Sequence, residues 1–233
     1  TNATGGTASS TPPTPSASAT GTTDYYVSQI SAEGCESARS KITVTVNALP
    51  AAPVVSNLAY CVGSTTTALT ATALSGHTLS WYGTNATGGT ASSTAPTPSS
   101  AAAGTTDFYV SQISAQGCES ARSKISIVVN ALPAAPVVSN LAYCVGSTTS
   151  ALSATALTGN TLSWYGTNAT GGTASITPPT PSSSAAGTTD FYVSQINALG
   201  CESIRSKISV VVNALPAAPV VSNSTYCIGS NTS

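Results

Sequence analysis

The chain has almost no charge and few side chains capable of chemistry. Of its 233 residues, six are Lys or Arg, seven are Asp or Glu, one is His, and Met is absent. Charged residues make up 6% of the sequence, against about 25% in an average soluble protein. Six cations cannot lay down the basic footprint that a nucleic-acid partner requires. One imidazole and seven carboxylates leave little for acid–base or metal chemistry, so no cofactor and no enzyme activity are expected. Apolar runs are short as well. Pro and Asn interrupt every stretch before the 18 or so residues of a membrane span. Disordered chains combine low hydrophobicity with high net charge, whereas this one is 41% hydrophobic with a formal charge of −1. It is expected to fold, and without helix signals it is expected to fold as β.

What the sequence does contain is an internal repeat, the feature that decides its organisation. Ala48-Leu-Pro-Ala-Ala-Pro-Val-Val-Ser-Asn-Leu-Ala-Tyr-Cys-Val-Gly-Ser-Thr-Thr66 recurs ending at Thr149, an offset of 83. The cysteines keep the same offset. Cys35, Cys118 and Cys201 form one series, and Cys61, Cys144 and Cys227 form the other. Segments 51–133 and 134–216 differ at 11 of 83 positions. Residues 1–50 match the later part of a repeat and 217–233 match its start. The expectation is two complete modules flanked by two partial ones, a window on a longer array.

Each module carries short strand signals separated by turns. Thr67–Leu74, Thr78–Tyr82, Asp107–Ile113 and Ser123–Val129 are strand candidates, with turns at Ser75-Gly76-His77, Gly88-Gly89 and Ala115-Gln116-Gly117. In the last strand Ile125, Ile127 and Val129 share one face, and Lys124 and Ser126 share the other with Arg122. The Pro- and Ser-rich stretch 91–103 is expected to be irregular or edge-like, because Pro cannot donate to a ladder. Ala48-Leu-Pro-Ala-Ala-Pro53, again at 131–136, is expected to be a short stiff linker. About seven short strands in 80–100 residues, with a Trp on the third, fit an immunoglobulin-like β-sandwich. Trp81 and Trp164 are therefore expected in the core.

Tyr60-Cys61-Val62-Gly63 before Ala68-Leu-Thr-Ala71, then Trp81-Tyr82, Gly104-Thr-Thr-Asp-Phe-Tyr-Val110 and Gly117-Cys118-Glu119-Ser120 resemble the Ig-like repeats of Bacteroidota surface proteins. Such repeats occur in very large adhesins exported by the type IX secretion system, gliding-motility adhesins among them. They also occur as spacers in secreted polysaccharide-degrading enzymes. The resemblance implies an extracellular location on a bacterial cell surface and a non-catalytic role. As the shaft of an adhesin or filament, the modules would have neighbouring repeats as partners, other copies in a bundle, and carbohydrate at the tip of the parent protein. The alternative is carbohydrate-binding or spacer modules within a secreted hydrolase. A sugar site would need exposed aromatics, and Tyr82, Phe108 and Tyr109 are the candidates.

Two cysteines per small β module imply an oxidising setting and disulfides. No CxxC or His cluster supports zinc instead. Three pairings are open: Cys61 with Cys118 inside one module, Cys35 with Cys61, and Cys61 with Cys201 between modules. Loop entropy gives roughly 3.5–5 kcal/mol for each and does not choose. On an Ig template Cys61 and Cys118 fall at opposite ends of the sandwich, which tilts the choice slightly toward Cys61 with Cys201. Cys144 and Cys227 follow by the repeat.

Among the remaining residues, His77 is replaced by Asn160 in the next module, so it is a turn residue rather than a catalytic base. Asp107, Glu119, Arg122 and Lys124 are expected to form a solvated charged edge that discourages sheet-to-sheet association; the sharper reading pairs them with a neighbouring module. Asn2, Asn85, Asn168, Asn223 and Asn231 sit in N-x-[ST] patterns that a Thr-rich sequence produces readily by chance.

Overall fold

The computed structural model describes residues 1–229. It is all β, built from strands, isolated bridges and turns. The chain divides into two compact units, Thr1–Val129 and Asn130–Ser233. The first holds a hairpin of β1 (Gly21–Val27) and β2 (Ser40–Val46), followed by β3 (Leu58–Cys61), β4 (Thr78–Trp81), β5 (Gly104–Ile113) and β6 (Ser123–Asn130). The second holds β7 (Val137–Val138), β8 (Leu141–Cys144), β9 (Ala154–Thr155), β10 (Thr161–Trp164), β11 (Gly187–Ile196) and β12 (Ser206–Asn213).

Each complete module has the same four-stranded sheet, in the orders β3-β6-β5-β4 and β8-β12-β11-β10. Antiparallel pairing of the two long strands places Phe108 opposite Ile125, and Phe191 opposite Ile208. Alternation then does what a half-buried strand requires. Phe108, Val110, Ile125, Ile127 and Val129 turn inward with Trp81 and Leu69, and together they form the core. Trp164, Phe191, Val193, Ile208 and Val210 repeat it around Leu152. Both tryptophans are core residues, each 3% exposed. The covering layer is barely a sheet. It consists of a Val54–Thr72 bridge in one module and the two-residue β7–β9 pair in the other.

Three expectations need correction. Thr67–Leu74 does not form a strand; apart from the bridge at Thr72 it is irregular. Its hydrogen bonds go instead to the Pro-rich stretch. Leu69 N–H donates to the Pro96 carbonyl (2.9 Å), Thr66 Oγ1–H to Pro98 (2.7 Å) and Gly63 N–H to Ser100 (2.9 Å). Pro lacks a donor but keeps its carbonyl, so this segment closes the sandwich as an acceptor without forming a ladder. Leu58–Cys61, not expected as a strand, joins the last strand of its module. Its counterpart β8 runs parallel to β12, with Cys144 opposite Asn213. Finally, the linker is shorter than 48–53, because the Ala51 carbonyl accepts from Gln112 Nε2 (2.5 Å) and the Pro53 carbonyl from Ser123 Oγ (2.5 Å).

Gln112 is the centre of this arrangement. It is completely buried, and its Oε1 accepts from Leu74 N–H at 2.7 Å while its Nε2 holds Ala51. Gln195 repeats both bonds with Leu157 and Ala134. Each such hydrogen bond contributes about 0.5–1.5 kcal/mol net, and the Leu74 and Ala51 backbone groups can turn to water once released, because both residues are exposed. Replacing Gln112 and Gln195 by Ala is therefore expected to destabilise each module by about 1–3 kcal/mol. Chemical denaturation of the whole chain checks this; an unchanged midpoint would show the linker is not pinned.

Candidate functional site

The residues that could carry chemistry gather around the turn after β4 and its counterpart β10. Asn85-Ala-Thr-Gly-Gly89 loops out beyond Tyr82, held by Asn85 Nδ2–H donating to the Tyr82 carbonyl (3.0 Å). Gly89 adopts φ +75°, and a Cβ there would come within 2.8 Å of the Asn85 amide. Both the left-handed backbone and the close approach demand glycine.

Arg122 closes the loop from the next hairpin. Its Nη1 donates to the Asn85 carbonyl (2.7 Å) and its Nη2 to the Gly88 carbonyl (2.8 Å). The same guanidinium lies 3.2 Å from the centroid of the Tyr82 ring. Beneath it, Tyr82 is buried and donates its phenol proton to Glu119 Oε1. Ser111 Oγ donates to the same oxygen at 2.5 Å. The hydroxyls of Ser111 and then Tyr82, with Arg122 nearby, hold the Glu119 carboxyl below its ordinary range against a small burial effect. The second module repeats the clamp, with Arg205 over Tyr165 at 3.3 Å and Arg205 bonded to Asn168 and Gly171. Burial, together with the Glu202 carboxylate that accepts its proton, raises the Tyr165 phenol. In the partial module 1–47, Arg39 donates to the carbonyls of Asn2 and Gly5 in the same way.

The four charged residues thus find partners inside their own module. Lys124 Nζ lies 3.1 Å from Asp107 Oδ2 across the outer face of the β5–β6 pair, and Ser126 Oγ donates to the other Asp107 oxygen at 2.7 Å. Ser126 first and Lys124 second lower the Asp107 carboxyl from its ordinary value. Lys124 and Asp107 make the solvated edge, whereas Glu119 and Arg122 are structural. His77 Nδ1 lies 3.0 Å from the Ser75 carbonyl in its turn. Among the described residues, no three His, Cys, Asp or Glu side chains gather to hold a metal. No described helix is long and apolar enough to cross a membrane.

The aromatics do not form a sugar platform. Tyr82 is under Arg122 and Phe108 is in the core, each at most 9% exposed, leaving Tyr109. Strand parity carried that information for Phe108, which shares its face with Val110. The Asn85 and Asn168 amides of the N-x-[ST] patterns are engaged by the loop itself. Asn231 lies outside the described residues.

The cysteines are the other candidate. Cys61 and Cys201 are disulfide-bonded, and Cys35, Cys118, Cys144 and Cys227 carry free thiols. Neither shorter pairing, Cys61 with Cys118 or Cys35 with Cys61, is therefore formed. Geometry within one module gives the reason. Cys144 sits opposite Asn213 at the C-terminal end of β12, whereas Cys201 sits in the turn before β12 begins at Ser206. The length of β12 separates the two positions by about 23 Å, and bridged Cα atoms lie about 4.4–6.8 Å apart.

An Ig-like domain model, described as CHU_C associated, matches residues 1–47, 50–130 and 133–213. The chain belongs to this family of Ig-like domains. Comparison with curated proteins finds no match. Among solved structures, fibronectin(III)-like modules of Clostridium thermocellum CbhA are 14% identical, with 72% of this chain and 96% of that one covered, at a TM-score of 0.35. Immunoglobulin domains 1–4 of Sidekick-1 are 17% identical over 85% and 60%, with a TM-score of 0.27. SGBP-B of the Bacteroides ovatus mixed-linkage glucan utilization locus, solved with a mixed-linkage heptasaccharide, is 16% identical over 70% and 46%, with a TM-score of 0.22.

The clamp makes a specific prediction. Tyr82→Phe removes one of two hydroxyl donors from a carboxylate, which costs about 1.5–3 kcal/mol for a hydrogen bond to a charged group. A folded pKa held below the unfolded one stabilises above the unfolded value, and that stability is lost as pH falls through the folded value. Tyr82→Phe should therefore weaken the module at neutral pH and flatten the loss of stability on acidification below about 4.5, the ordinary value for Glu119. Arg122→Lys should not preserve the clamp, because an ammonium cannot bond two carbonyls while stacking on a ring. Denaturation curves between about pH 3 and 7 check both statements.

Proposed function

We propose that the chain is a stretch of a non-catalytic extracellular array that forms the shaft of a large bacterial surface adhesin or filament. The observation that carries this reading is the recurrence of one closed clamp in near-identical modules. Glu119, Arg122 and Tyr82, and then Glu202, Arg205 and Tyr165, saturate one another and their own loop. The most reactive side chains of each module thus serve its internal architecture. Near-identity along a whole module repeats the same mechanical element rather than diversifying a binding surface. The 11 differences between modules leave the clamp, the buried glutamine and the cysteines untouched. Disulfide-bonded cysteines support an oxidising, extracytoplasmic setting, and membership of the Ig-like family supports a structural or binding module.

Two measurements test the reading. Antibody raised against the chain should label intact cells of the source organism, and surface proteolysis should remove the epitope. Labelling that appears only after lysis would overturn the location. Proteins with two, three and four modules should lengthen in scattering by a constant increment per module, about 35–40 Å judged from strand lengths. A coil-like growth of the radius of gyration would overturn the shaft.

A further inference from the structure

The Pro- and Ser-rich stretch closes each sandwich through its carbonyls, and several of its hydroxyls are used locally. Ser92 Oγ donates to the Thr94 carbonyl (3.2 Å) and Ser100 Oγ to the Ser64 carbonyl (2.6 Å). Ser99 Oγ accepts from Ala101 N–H (3.3 Å). Thr97 differs. It is exposed between half-buried Pro96 and buried Pro98, and among the described residues its hydroxyl has no hydrogen-bond partner. Thr180 repeats the arrangement between Pro179 and Pro181. Pro-Thr-Pro also stands at 13–15, so the tripeptide recurs at the 83-residue offset. Around it Ser93, Ala95 and Ala101 give way to Ile176, Pro178 and Ser184.

The backbone on either side of this threonine is fixed. The Pro96 carbonyl is tied to Leu69 and the Pro98 carbonyl to Thr66; in the second module Pro179 is tied to Leu152 and Pro181 to Thr149. Each Pro sets its own φ, and a residue that precedes Pro is held in the extended region. The prolyl carbonyls therefore bind inward while the threonine hydroxyl stands in solvent on a short, rigid, extended segment. Such a segment is ready for an enzyme that takes its acceptor peptide extended, since little chain entropy is left to lose on binding. Thr94 is equally exposed, but it lies in a bend that Ser92 holds through both its N–H and its carbonyl.

We propose that Thr97 and Thr180 are acceptor sites for O-linked sugar, one in each complete module. In the transfer, Oγ1 attacks the anomeric carbon of a sugar carried on a nucleotide or lipid diphosphate. The new C–O bond replaces the bond to the diphosphate, which leaves, and the hydroxyl proton passes to a base of the transferase. Composition says what the sugar does. The chain is 41% hydrophobic and 6% charged, with a formal net charge of −1, and a near-neutral surface favours association. Repeat proteins are further exposed to misassembly between modules. A hydrated glycan beside each Pro-rich edge supplies the solvation that charge does not, and Ser/Thr-rich sequence with Pro is the composition of O-glycosylated stalks. The inference goes beyond the shaft reading, since the same sugar would serve any secreted module.

Peptide mapping of the protein isolated from its own source organism tests this. The peptides that contain Thr97 and Thr180 should be heavier than their sequences by whole sugar residues, and electron-transfer fragmentation should place the added mass on those two side chains. Unmodified peptides, a phosphate in place of sugar, or sugar confined to Ser93 and Thr94 would each overturn the proposal. Thr97→Val with Thr180→Val, carried in the native gene, should abolish both increments while the far-UV circular dichroism stays that of the wild-type chain. Thr97→Ser should keep its sugar. Retention of both increments in the double Val variant would also overturn the assignment. The wild-type map stands even where a variant fails to fold. Mass data speak to the substituent and surface labelling to the location, so either can fail alone.

Discussion

A fully buried glutamine amide holds each module together, because the apolar residues alone do not fill it. The chain has two Phe, two Trp and no Met, and about 80 residues bury too little area for a robust core. Gln112 joins three segments that hydrophobic contact would leave loose: the incoming chain at Ala51, the turn at Leu74 and the hairpin at Ser120. Hydrogen bonds of this kind add little in water but become strongly directional when the amide is dry. A polar core is acceptable only when it is complete, and among the described residues every buried side-chain nitrogen and oxygen has a partner. The partial module 1–47 shows the dependence from the other side. Val27 and Ile42 are each 54% exposed, whereas their counterparts Val110 and Ile125 are at most 1% exposed. The two-stranded hairpin alone does not close a core.

The clamp extends the same logic to the surface. A loop of Asn, Ala, Thr and two Gly has no apolar side chain large enough to anchor it. Carbonyl groups are all it can offer, and Arg122 collects two of them while its flat face covers Tyr82. The Tyr82 ring is then shielded on one side and tied through its hydroxyl to Glu119 on the other. An Arg, a Tyr and a Glu that could have formed an exposed recognition patch become one closed unit. That closure leaves none of the three side chains with a free recognition face of its own.

How much of this was legible depends on the range of the interaction. Strands β5 and β6 could be read directly, since Ile125, Ile127 and Val129 alternate with polar residues and a period of two identifies a half-buried strand. Trp81 and the turn glycines were legible for similarly local reasons. The pairing of Leu58–Cys61 with the last strand was not, because so short a strand carries no register and its partner lies most of a module away. Tyr82 under Arg122 was missed for the same reason, since the ring and the cation that covers it sit on separate hairpins, far apart in the chain. The Pro-rich stretch was half legible. Its lack of donors was evident, but carbonyls accepting from Leu69, Thr66 and Gly63 depend on a fold that brings the segments side by side.

The poles of the module follow from its topology. A strand parallel to the last one necessarily ends where the last one ends, so a cysteine closing β8 is carried to the exit of the module beside Asn213. A turn preceding the last strand lies at the entrance. No shift of one or two residues in either position could bring the two thiols of one module together across about 23 Å of strand. Two cysteines per module therefore do not make a self-contained disulfide domain, whatever their number and spacing imply. The free thiol of Cys144 follows from this constraint, because the other cysteine of its module lies a full strand length away.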